Sequence, residues 1–311
     1  MANYLITGGA GFIGSHLAES LVGQGHFVRV LDNLDTGSRE NIVNSKIEFI
    51  VGSVEDAEAV KRSVQKIDFV LHQAARGSVP RSITDPLGTH AANSTGTLQL
   101  LIAARDAGVK MVICASSSSV YGDLPTLPKV ETMIPEPKSP YALSKLTLEH
   151  YCRIFSTTYN LPTAALRYFN IYGPRQNPKL QYAAVIPIFI TRMLKDETCT
   201  IYGDGEQTRD FTYVEDCAAA NFLACEAEGM DGEVFNIGCG NPVSVNQLFR
   251  TLAMMLNYKK EPVYEAPRAG DVTHSFAAIE KAQQAFNFQP KIRLEDGLER
   301  TIAWYKKRIA S

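Results

Sequence analysis

TGGAGFIG, residues 7–14, joins an apolar strand to an amphipathic segment near the start of the 311-residue chain. Its glycines permit a tight turn that can approach a pyrophosphate, and the following helix offers free N–H groups and a positive dipole end. The next apolar strand ends in Asp32, 18 positions beyond Gly14, where a carboxylate accepts hydrogen bonds from the adenosine ribose and repels a 2′-phosphate. The pattern predicts a dinucleotide site that favours NAD, although the nearby Arg39 leaves NADP open.

Short apolar runs alternate with amphipathic stretches throughout the first half of the chain. This alternation is typical of an α/β fold of the Rossmann type, a doubly wound parallel sheet with helices on both faces. The predicted strands are Asn3–Thr7, Phe27–Asp32, Ile47–Val51, Phe69–His72, Met111–Ala115 and Thr163–Arg167. The predicted helices are Ile13–Gln24, Asp56–Val64, Ser94–Ala107 and Tyr141–Tyr159, followed by Val185–Leu194, Val214–Cys225 and Val245–Leu256.

After Asn170 the pattern becomes irregular, because prolines and glycines crowd the stretches between the predicted helices. This irregular pattern predicts a smaller mixed α/β lobe that covers the carboxyl ends of the strands, where open parallel sheets bind ligands. We assign residues 1–168 to an NAD-binding domain, with a returning segment around 209–228. Residues 169–311 are assigned mainly to a substrate-binding lobe.

Composition and charge argue against several classes of function. The chain carries 31 basic and 33 acidic residues, a formal net charge of −2, so we expect no nucleic-acid or membrane partner. It has no apolar run of about 18 residues, and no basic leader that would predict a signal peptide. Its six cysteines form no C-x-x-C pair, which favours reduced thiols and a cytoplasmic location. We assign no metal site.

Tyr141 and Lys145 lie four residues apart at the start of a predicted helix and share one face. A free phenol is a poor base at neutral pH, but a nearby ammonium together with a positive nicotinamide lowers its pKa. The pair therefore fits a proton-transfer couple, although a surface pair has the same spacing. The serines at 116–119 end a buried strand at the same sheet edge, where a hydroxyl can hydrogen-bond a sugar oxygen.

The chain resembles the extended short-chain dehydrogenase/reductase family, and within it the nucleotide-sugar 4-epimerases, over nearly its whole length. GSVPRS at 77–82 and YAAVIP at 182–187 are typical of the UDP-N-acetylglucosamine 4-epimerase branch. The other motifs that carry the resemblance are TGGAGFIG at 7–14, DN at 32–33, HQAA at 72–75, SSSSVYGD at 116–123, YALSK at 141–145, RYFNIYGPRQ at 167–176 and TRDFTYVED at 208–216.

The resemblance implies roles for particular residues. It identifies Ser117, Tyr141 and Lys145 as the catalytic group. The residues implied to contact NAD are Gly8, Gly11, Phe12, Ile13, Gly14, Asp32, Asn33, Ser53, Val54, Gln73, Ala74, Ala75, Asn93, Tyr141, Lys145 and Tyr168. The residues implied to contact a UDP-sugar are Ser78, Val79, Ser117, Ser118, Asn170, Gln176, Ala184, Val185, Arg209, Arg268, Asp271 and Ser275.

The implied reaction inverts C4 of a UDP-sugar through a transient 4-keto intermediate, with tightly bound NAD⁺ that undergoes no net change. Arg209 and Arg268 are implied to clamp the diphosphate. One position beside the C2 substituent is implied to set substrate choice, since a tyrosine there excludes an N-acetyl group. Ser275 falls at this position, so we expect UDP-GlcNAc and UDP-GalNAc as substrates, and also UDP-Glc and UDP-Gal. The family also implies a homodimer built from the helices around 94–107 and 141–159.

Several alternatives share the fold and the catalytic group. Dehydratases usually carry acids at the positions of Ser118 and Ser119, which here are serines, and decarboxylases need a carboxylate-binding arginine. A UDP-glucuronate 4-epimerase stays open, because Arg76 and Arg81 are candidates for binding a carboxylate. A non-catalytic dinucleotide-sensing regulator would not need the catalytic group. One departure from the family is Ser53, which stands where an aspartate usually contacts adenine.

Overall fold

The computed structural model describes residues 1–178, 184–267 and 272–310. The strands are β1 (Asn3–Thr7), β2 (Phe27–Asp32), β3 (Glu48–Val51), β4 (Phe69–His72), β5 (Met111–Ser117), β6 (Thr163–Tyr168), β7 (Ile171–Tyr172), β8 (Thr200–Tyr202), β9 (Thr208–Asp210), β10 (Thr212–Tyr213), β11 (Glu233–Ile237), β12 (Pro242–Ser244), β13 (Val263–Glu265) and β14 (His274–Ser275). The helices are α1 (Phe12–Gly23), α2 (Ala57–Ser63), α3 (Val79–Thr84), α4 (Pro86–His90), α5 (Gly96–Asp106), α6 (Pro140–Tyr159), α7 (Val185–Leu194), α8 (Val214–Glu226), α9 (Val245–Leu256), α10 (Glu280–Phe286) and α11 (Leu294–Ala310).

One seven-stranded sheet has the order β3-β2-β1-β4-β5-β6-β11, and every neighbouring pair in it is parallel. An apolar cluster joins one face of the sheet to α1, α8 and α10, and a second cluster joins the other face to α2, α5 and α6. The predicted doubly wound sheet is therefore confirmed. The strand order reverses between β1 and β4, which creates the crevice where such sheets bind ligands.

The edge strand β11 is not predicted by the apolar pattern. It pairs in parallel with β6, and α8 packs against the same sheet. The chain thus returns to the sheet after it has entered the second lobe. The predicted return around 209–228 contains α8 but stops short of β11, because EVFNI carries a buried Asn236 and follows an irregular stretch.

The second lobe has an apolar core of its own. Helices α7, α9 and α11 pack together with β8 and β10. Small sheets surround this core: β9 pairs with β12 and β14, and β8 pairs with β13. The lobe is therefore a mixed α/β unit, as its irregular sequence predicts.

Helix α6 carries two of the predicted catalytic residues, and its ends are well defined. The Ser139 hydroxyl accepts a hydrogen bond from the Ala142 N–H at 3.1 Å, and Pro140 occupies the first turn. The helix ends at Asn160, which adopts a left-handed conformation with φ 55°. Among the described residues, α6 and every other helix are too short or too polar to cross a membrane.

A buried polar chain runs beneath the crevice. Thr7 Oγ1 lies 2.7 Å from His72 Nδ1, and His72 Nε2 lies 2.9 Å from Thr97 Oγ1. Thr97 donates to the carbonyl oxygen of Asn93 at 2.5 Å, so the network is satisfied by a neutral imidazole with its proton on Nε2. Burial lowers the pKa of His72 to about 3, and the charge of Lys145 acts in the same direction.

This shift predicts acid sensitivity of the fold. The unfolded chain binds a proton at His72 below about pH 6.5, whereas the folded protein does not until about pH 3. The free energy of unfolding should therefore fall between about pH 6.5 and about pH 3, by up to about 1.4 kcal/mol per pH unit from this group. Urea unfolding at pH 7 and pH 5 measures this effect. The free energy of unfolding should fall less between these pH values in His72→Asn than in the wild type.

The matched control is His150→Asn, at an exposed histidine of α6. This variant should keep the pH dependence of the wild type. Equal acid sensitivity in all three proteins would contradict the assignment.

Candidate active site

The glycine turn after β1 is packed too closely for side chains at its key positions. A Cβ on Gly14 would lie 2.3 Å from the carbonyl oxygen of Gly8, and a Cβ on Gly8 would lie 2.7 Å from the backbone of Ala74. Gly8 also has φ +69°, which glycine adopts without strain. Helix α1 follows with Gly11 as its N-cap, and no side chain caps its first N–H groups. Backbone donors therefore face the crevice.

Asp32 ends β2 beside this turn and helps to hold it. Its Oδ2 accepts from the Ala10 N–H at 2.9 Å, and its Oδ1 accepts from the Leu34 N–H at 2.8 Å. Burial raises the pKa of this carboxyl, and the two hydrogen bonds oppose the rise. Asp32 also lines the crevice, and each carboxylate oxygen can accept a further hydrogen bond from a ribose hydroxyl.

A cavity of about 1100 Å³ lies at the carboxyl ends of the sheet strands, between the sheet and the second lobe. Most of the predicted cofactor residues and three predicted substrate residues line it. They are Gly8, Gly11, Phe12, Ile13, Gly14, Asp32, Asn33, Ser53, Val54, Gln73, Ala74, Ala75, Ser78, Tyr141, Lys145, Tyr168, Gln176 and Ala184.

Strand β5 and helix α6 bring the predicted catalytic group together. β5 runs two residues beyond its predicted end, because Ser116 and Ser117 continue the parallel pairing with β6. The Ser117 side chain lies close enough to Tyr141 to act on the pKa of its phenol, and Lys145 Nζ lies 5.9 Å from the centre of the Tyr141 ring. Tyr141 and Lys145 line the cavity, and Ser117 contacts it through Tyr141.

Burial shapes the titration of both groups on α6. It lowers the pKa of the Lys145 ammonium to about 8, against the opposing influence of Cys114, Cys152 and Glu149. Burial also raises the pKa of Tyr141, and the Ser117 side chain opposes that rise. Among the protein groups, burial outweighs those that favour the phenolate. The lowering expected from the sequence includes the charge of the nicotinamide and stays a prediction.

Asn93 lies in a π-helical turn, residues Ala91–Thr95, an irregularity often found at functional sites. Its Oδ1 accepts from the Arg76 N–H at 2.8 Å, and its Nδ2 donates to Ser144 Oγ at 3.0 Å. Ser144 in turn donates to the carbonyl of Tyr141 at 2.7 Å. Asn93 thus connects the segment after β4 to the first turn of α6, and it is not among the described residues that line the cavity.

Not every predicted site residue belongs to this lining. Arg268 and Asp271 fall outside the described residues. Within the described part of the chain, the predicted residues that do not line the cavity are Asn93, Ser117, Val79, Ser118, Asn170, Val185, Arg209 and Ser275.

Arg209 and Ser275 nevertheless lie side by side, in register across the parallel pair β9–β14. Arg209 Nη1 donates to the carbonyl oxygens of Thr208 at 2.9 Å and Thr273 at 3.2 Å. The two residues that the sequence links to the diphosphate and to the sugar are therefore held on one small sheet of the second lobe.

Asp210, the last residue of β9, connects this small sheet to neighbouring segments. Its carboxylate is fully buried and accepts from the N–H groups of Cys239 at 2.8 Å, Gly240 at 2.9 Å and Ala277 at 3.1 Å. Burial raises the pKa of Asp210, and these three hydrogen bonds oppose the rise. One side chain thus ties β9 to the two segments that flank it.

Some cavity residues are missed by sequence reasoning. Arg175 lines the cavity and pairs with Glu19 of α1. It lies in the motif 167–176, from which only Tyr168, Asn170 and Gln176 are predicted as site residues. Trp304, Tyr305 and Arg308 reach the cavity from the far end of the chain on α11. No local pattern marks these α11 residues, because the packing of α11 against α7, α9 and β10 brings them there.

The comparisons with known proteins agree with this geometry. Residues 4–238 match the NAD dependent epimerase/dehydratase family. The chain belongs to this family. It is 40% identical to the putative UDP-glucose 4-epimerase of Methanocaldococcus jannaschii, over 97% of this chain and 98% of that protein.

Two solved structures are similar over the whole chain. One is the UDP-glucose 4-epimerase of Thermotoga maritima with UDP-glucose, at 43% identity, TM-score 0.95 and 99% coverage of both chains. The other is the UDP-N-acetylglucosamine 4-epimerase of Methanobrevibacter ruminantium in complex with UDP-N-acetylmuramic acid, at 38% identity, TM-score 0.95 and 99% coverage of both chains.

The family uses NAD, and the residues of this chain fit that cofactor. The turn at Gly8 and Gly14 leaves no room for a Cβ, the N-terminus of α1 is uncapped by side chains, and Asp32 stands at the end of β2. These are the groups that would hold a pyrophosphate and a ribose.

The glycine turn yields a matched pair of variants. Gly14→Ala should weaken NAD binding by about 10- to 100-fold, because its methyl group displaces the Gly8 carbonyl that shapes the turn. Gly23→Ala, in the same helix, meets no atom within 4 Å and should bind NAD as the wild type does. Calorimetric titration with NAD measures both, and equal affinities would contradict the role of the turn.

Proposed function

We propose that this chain inverts C4 of UDP-N-acetylglucosamine and UDP-N-acetylgalactosamine, and also of UDP-glucose and UDP-galactose, through a transient 4-keto intermediate. The observation that carries the proposal is the placement of Tyr141 beside both Ser117 and Lys145 at the cavity. Ser118 and Ser119, where dehydratases usually have acids, support epimerisation over elimination. The similarity to UDP-sugar 4-epimerases supports the same reaction class.

The roles of the three side chains follow from their chemistry. When bound, the nicotinamide supplies the oxidation and reduction at C4. Tyr141 takes the proton from the sugar O4 and later returns one, while the Ser117 hydroxyl hydrogen-bonds the oxygen during the transfer. The Lys145 ammonium favours the phenolate form of Tyr141 by its charge.

Inversion requires that both faces of C4 meet the same side of the nicotinamide. The sugar must therefore turn while its diphosphate stays anchored. The rigid β9–β14 pair, fixed by the buried Asp210, supports such an anchor at Arg209. Ser275 is adjacent to Arg209 and small, which supports room for an N-acetyl group beside C2.

The substrate assignment is tested by substitution at Ser275. The wild type, incubated with UDP-GlcNAc, should produce UDP-GalNAc, and chromatography or NMR of the sugar measures the conversion. Ser275→Tyr should lower kcat/KM for UDP-GlcNAc by at least about 100-fold, because the ring occupies the space of the N-acetyl group, and should leave UDP-galactose within about threefold.

His274→Tyr is the matched control, since neighbouring residues of a strand point to opposite faces. It should leave the turnover of both substrates unchanged. Equal loss of both substrates in Ser275→Tyr would contradict the gate, and absence of C4 inversion with every UDP-hexose would contradict the proposed reaction.

The glucuronate alternative finds less support in the site. Arg76 already pairs with Asp85 at 2.5 Å, and Arg81 pairs with Asp35 at 3.0 Å. A carboxylate on the sugar would have to displace one of these acids to gain an arginine. A neutral hexose or N-acetylhexosamine makes no such demand.

We also propose that two copies of the chain pair through α5 and α6. Large apolar side chains are exposed on this side of the molecule: Leu143 and Ile154 on α6 at 55% and 46%, and Ile102 on α5 at 39%. Leu143 and Ile154 are eleven residues apart, three helical turns, so they share one face. A second copy related by a two-fold axis would cover these side chains with the same surface.

Light scattering tests this interface. The wild type should have the mass of two chains, and Ile154→Glu should shift it toward one, because a carboxylate would be buried without a partner. Met254→Glu places the same charge at an 83% exposed position on α9 and should stay dimeric. A monomeric wild type would contradict the proposal.

A further inference from the structure

A buried charged cluster lies directly behind the proposed proton-transfer group. It consists of Glu149 on α6, Arg167 on β6 and Ser116 on β5, and all three residues are at most 4% exposed. Arg167 donates from Nε to Glu149 Oε1 at 2.8 Å and from Nη2 to Oε2 at 2.7 Å. Ser116 Oγ donates to the same carboxylate at 2.5 Å.

Such a cluster contributes little net stability. Removing two charges from water costs several kcal/mol per ion, and well-packed apolar residues in the same space are often at least as stable. The forked geometry is nearly satisfied, although Arg167 Nη1 has no hydrogen-bond partner among the described residues. The cluster therefore contributes more to the relative orientation of α6, β5 and β6 than to stability.

The cluster holds the chain on both sides of Ser117. Ser116 precedes it on β5 and is bound by Glu149. The guanidinium of Arg167 lies 4.6 Å from the ring centre of Tyr121, which ends the 3₁₀ turn after Ser117. The Tyr121 hydroxyl donates to Asn236 Oδ1 at 2.7 Å, so the turn is fixed at its far end as well.

The cluster also sets the register of α6 against β5. Lys145 Nζ donates to the Ala115 carbonyl at 2.8 Å, and Glu149, one helical turn later, binds the next residue of the strand, Ser116. Two successive turns of α6 are thus joined to two successive residues of β5. The first turn of the same helix carries Tyr141.

We propose that Glu149 and Arg167 are positioning residues, which hold α6 in the register that places Tyr141 and Lys145 against Ser117. The proposal rests on the proposed epimerase function. Neither Glu149 nor Arg167 itself lines the cavity, so both act through their neighbours, among them Ser116, which does line it.

The charge of Glu149 also acts on Lys145. The groups that face this ammonium are Tyr141, Glu149 and Cys152 from α6, together with Cys114 of β5 and His72 of β4. Because Glu149 opposes the lowering of the Lys145 pKa by burial, its loss should lower that pKa further. Deprotonation of Lys145 would then begin at a lower pH and leave the Tyr141 phenolate less favoured.

The test replaces the ion pair by apolar residues of similar size, Glu149→Leu with Arg167→Met, in the NAD-loaded protein. We expect kcat to fall by about 10- to 100-fold, as misplacement of a reacting group does, while KM for the UDP-sugar stays within about twofold. The alkaline limb of the kcat profile should move to lower pH. Ultraviolet titration of the phenolate, with a Tyr141→Phe protein as the blank, should show Tyr141 ionising at higher pH.

The control is Arg29→Met with Glu48→Leu, which removes the ion pair at the β2–β3 side of the sheet and should alter neither kcat nor the titration. A folded Glu149→Leu/Arg167→Met protein with wild-type kcat, pH profile and titration would overturn the proposal.

If the double variant does not fold, Ser116→Ala decides. This variant keeps the ion pair and removes the hydrogen bond between Ser116 and Glu149. We therefore expect kcat to fall and Tyr141 to ionise at higher pH. Wild-type values for both would overturn the proposal. The phenolate titration needs no substrate, so it still reports on the cluster if the wild type fails to epimerise any UDP-sugar.

Discussion

The hydrogen bond from the Lys145 ammonium to the carbonyl of Ala115, 2.8 Å long and buried, fixes helix α6 to the end of strand β5. A buried ammonium is costly unless it is paired, so this contact constrains where the helix can lie. Tyr141 lies one turn before Lys145 on the same face, and Ser117 lies two residues beyond Ala115 on the strand. The relative positions of all three side chains therefore depend on one helix-to-strand contact.

The sheet extends this constraint to the cofactor crevice. Parallel pairing places the carboxyl ends of β1, β2, β4 and β5 at one edge. The glycine turn and Asp32 therefore share one cavity with Tyr141, which lies more than a hundred residues further along the chain. The second lobe closes the other side. Its β9–β14 pair is held by a buried carboxylate, Asp210, rather than by a long sheet.

The polar groups behind the site share one property. His72, Glu149, Arg167 and Asp210 are all buried, and each is hydrogen-bonded to other protein groups. His72 pairs with Thr7 and Thr97, Glu149 with Arg167 and Ser116, and Asp210 with three backbone N–H groups. Low dielectric strengthens such contacts and makes a missing partner expensive. Each of these groups therefore limits the backbone to one arrangement close to the cavity, which suits the proposed reaction, in which one sugar is presented in two orientations.

The sequence by itself determined six of the seven sheet strands, the glycine turn with Asp32, and the shared helix face of Tyr141 and Lys145. These features depend on local rules: apolar strands of a few residues, glycines at a tight turn, and a spacing of four on a helix. It did not reveal β11, the contribution of α11 to the cavity, or how strongly burial acts on the pKa of Tyr141. Tertiary structure alone decided these, because each depends on which distant segments pack together and how much water they exclude. The ion pair between Glu149 and Arg167 belongs to the same class, since 18 residues separate its partners and only the packing of α6 on β6 joins them.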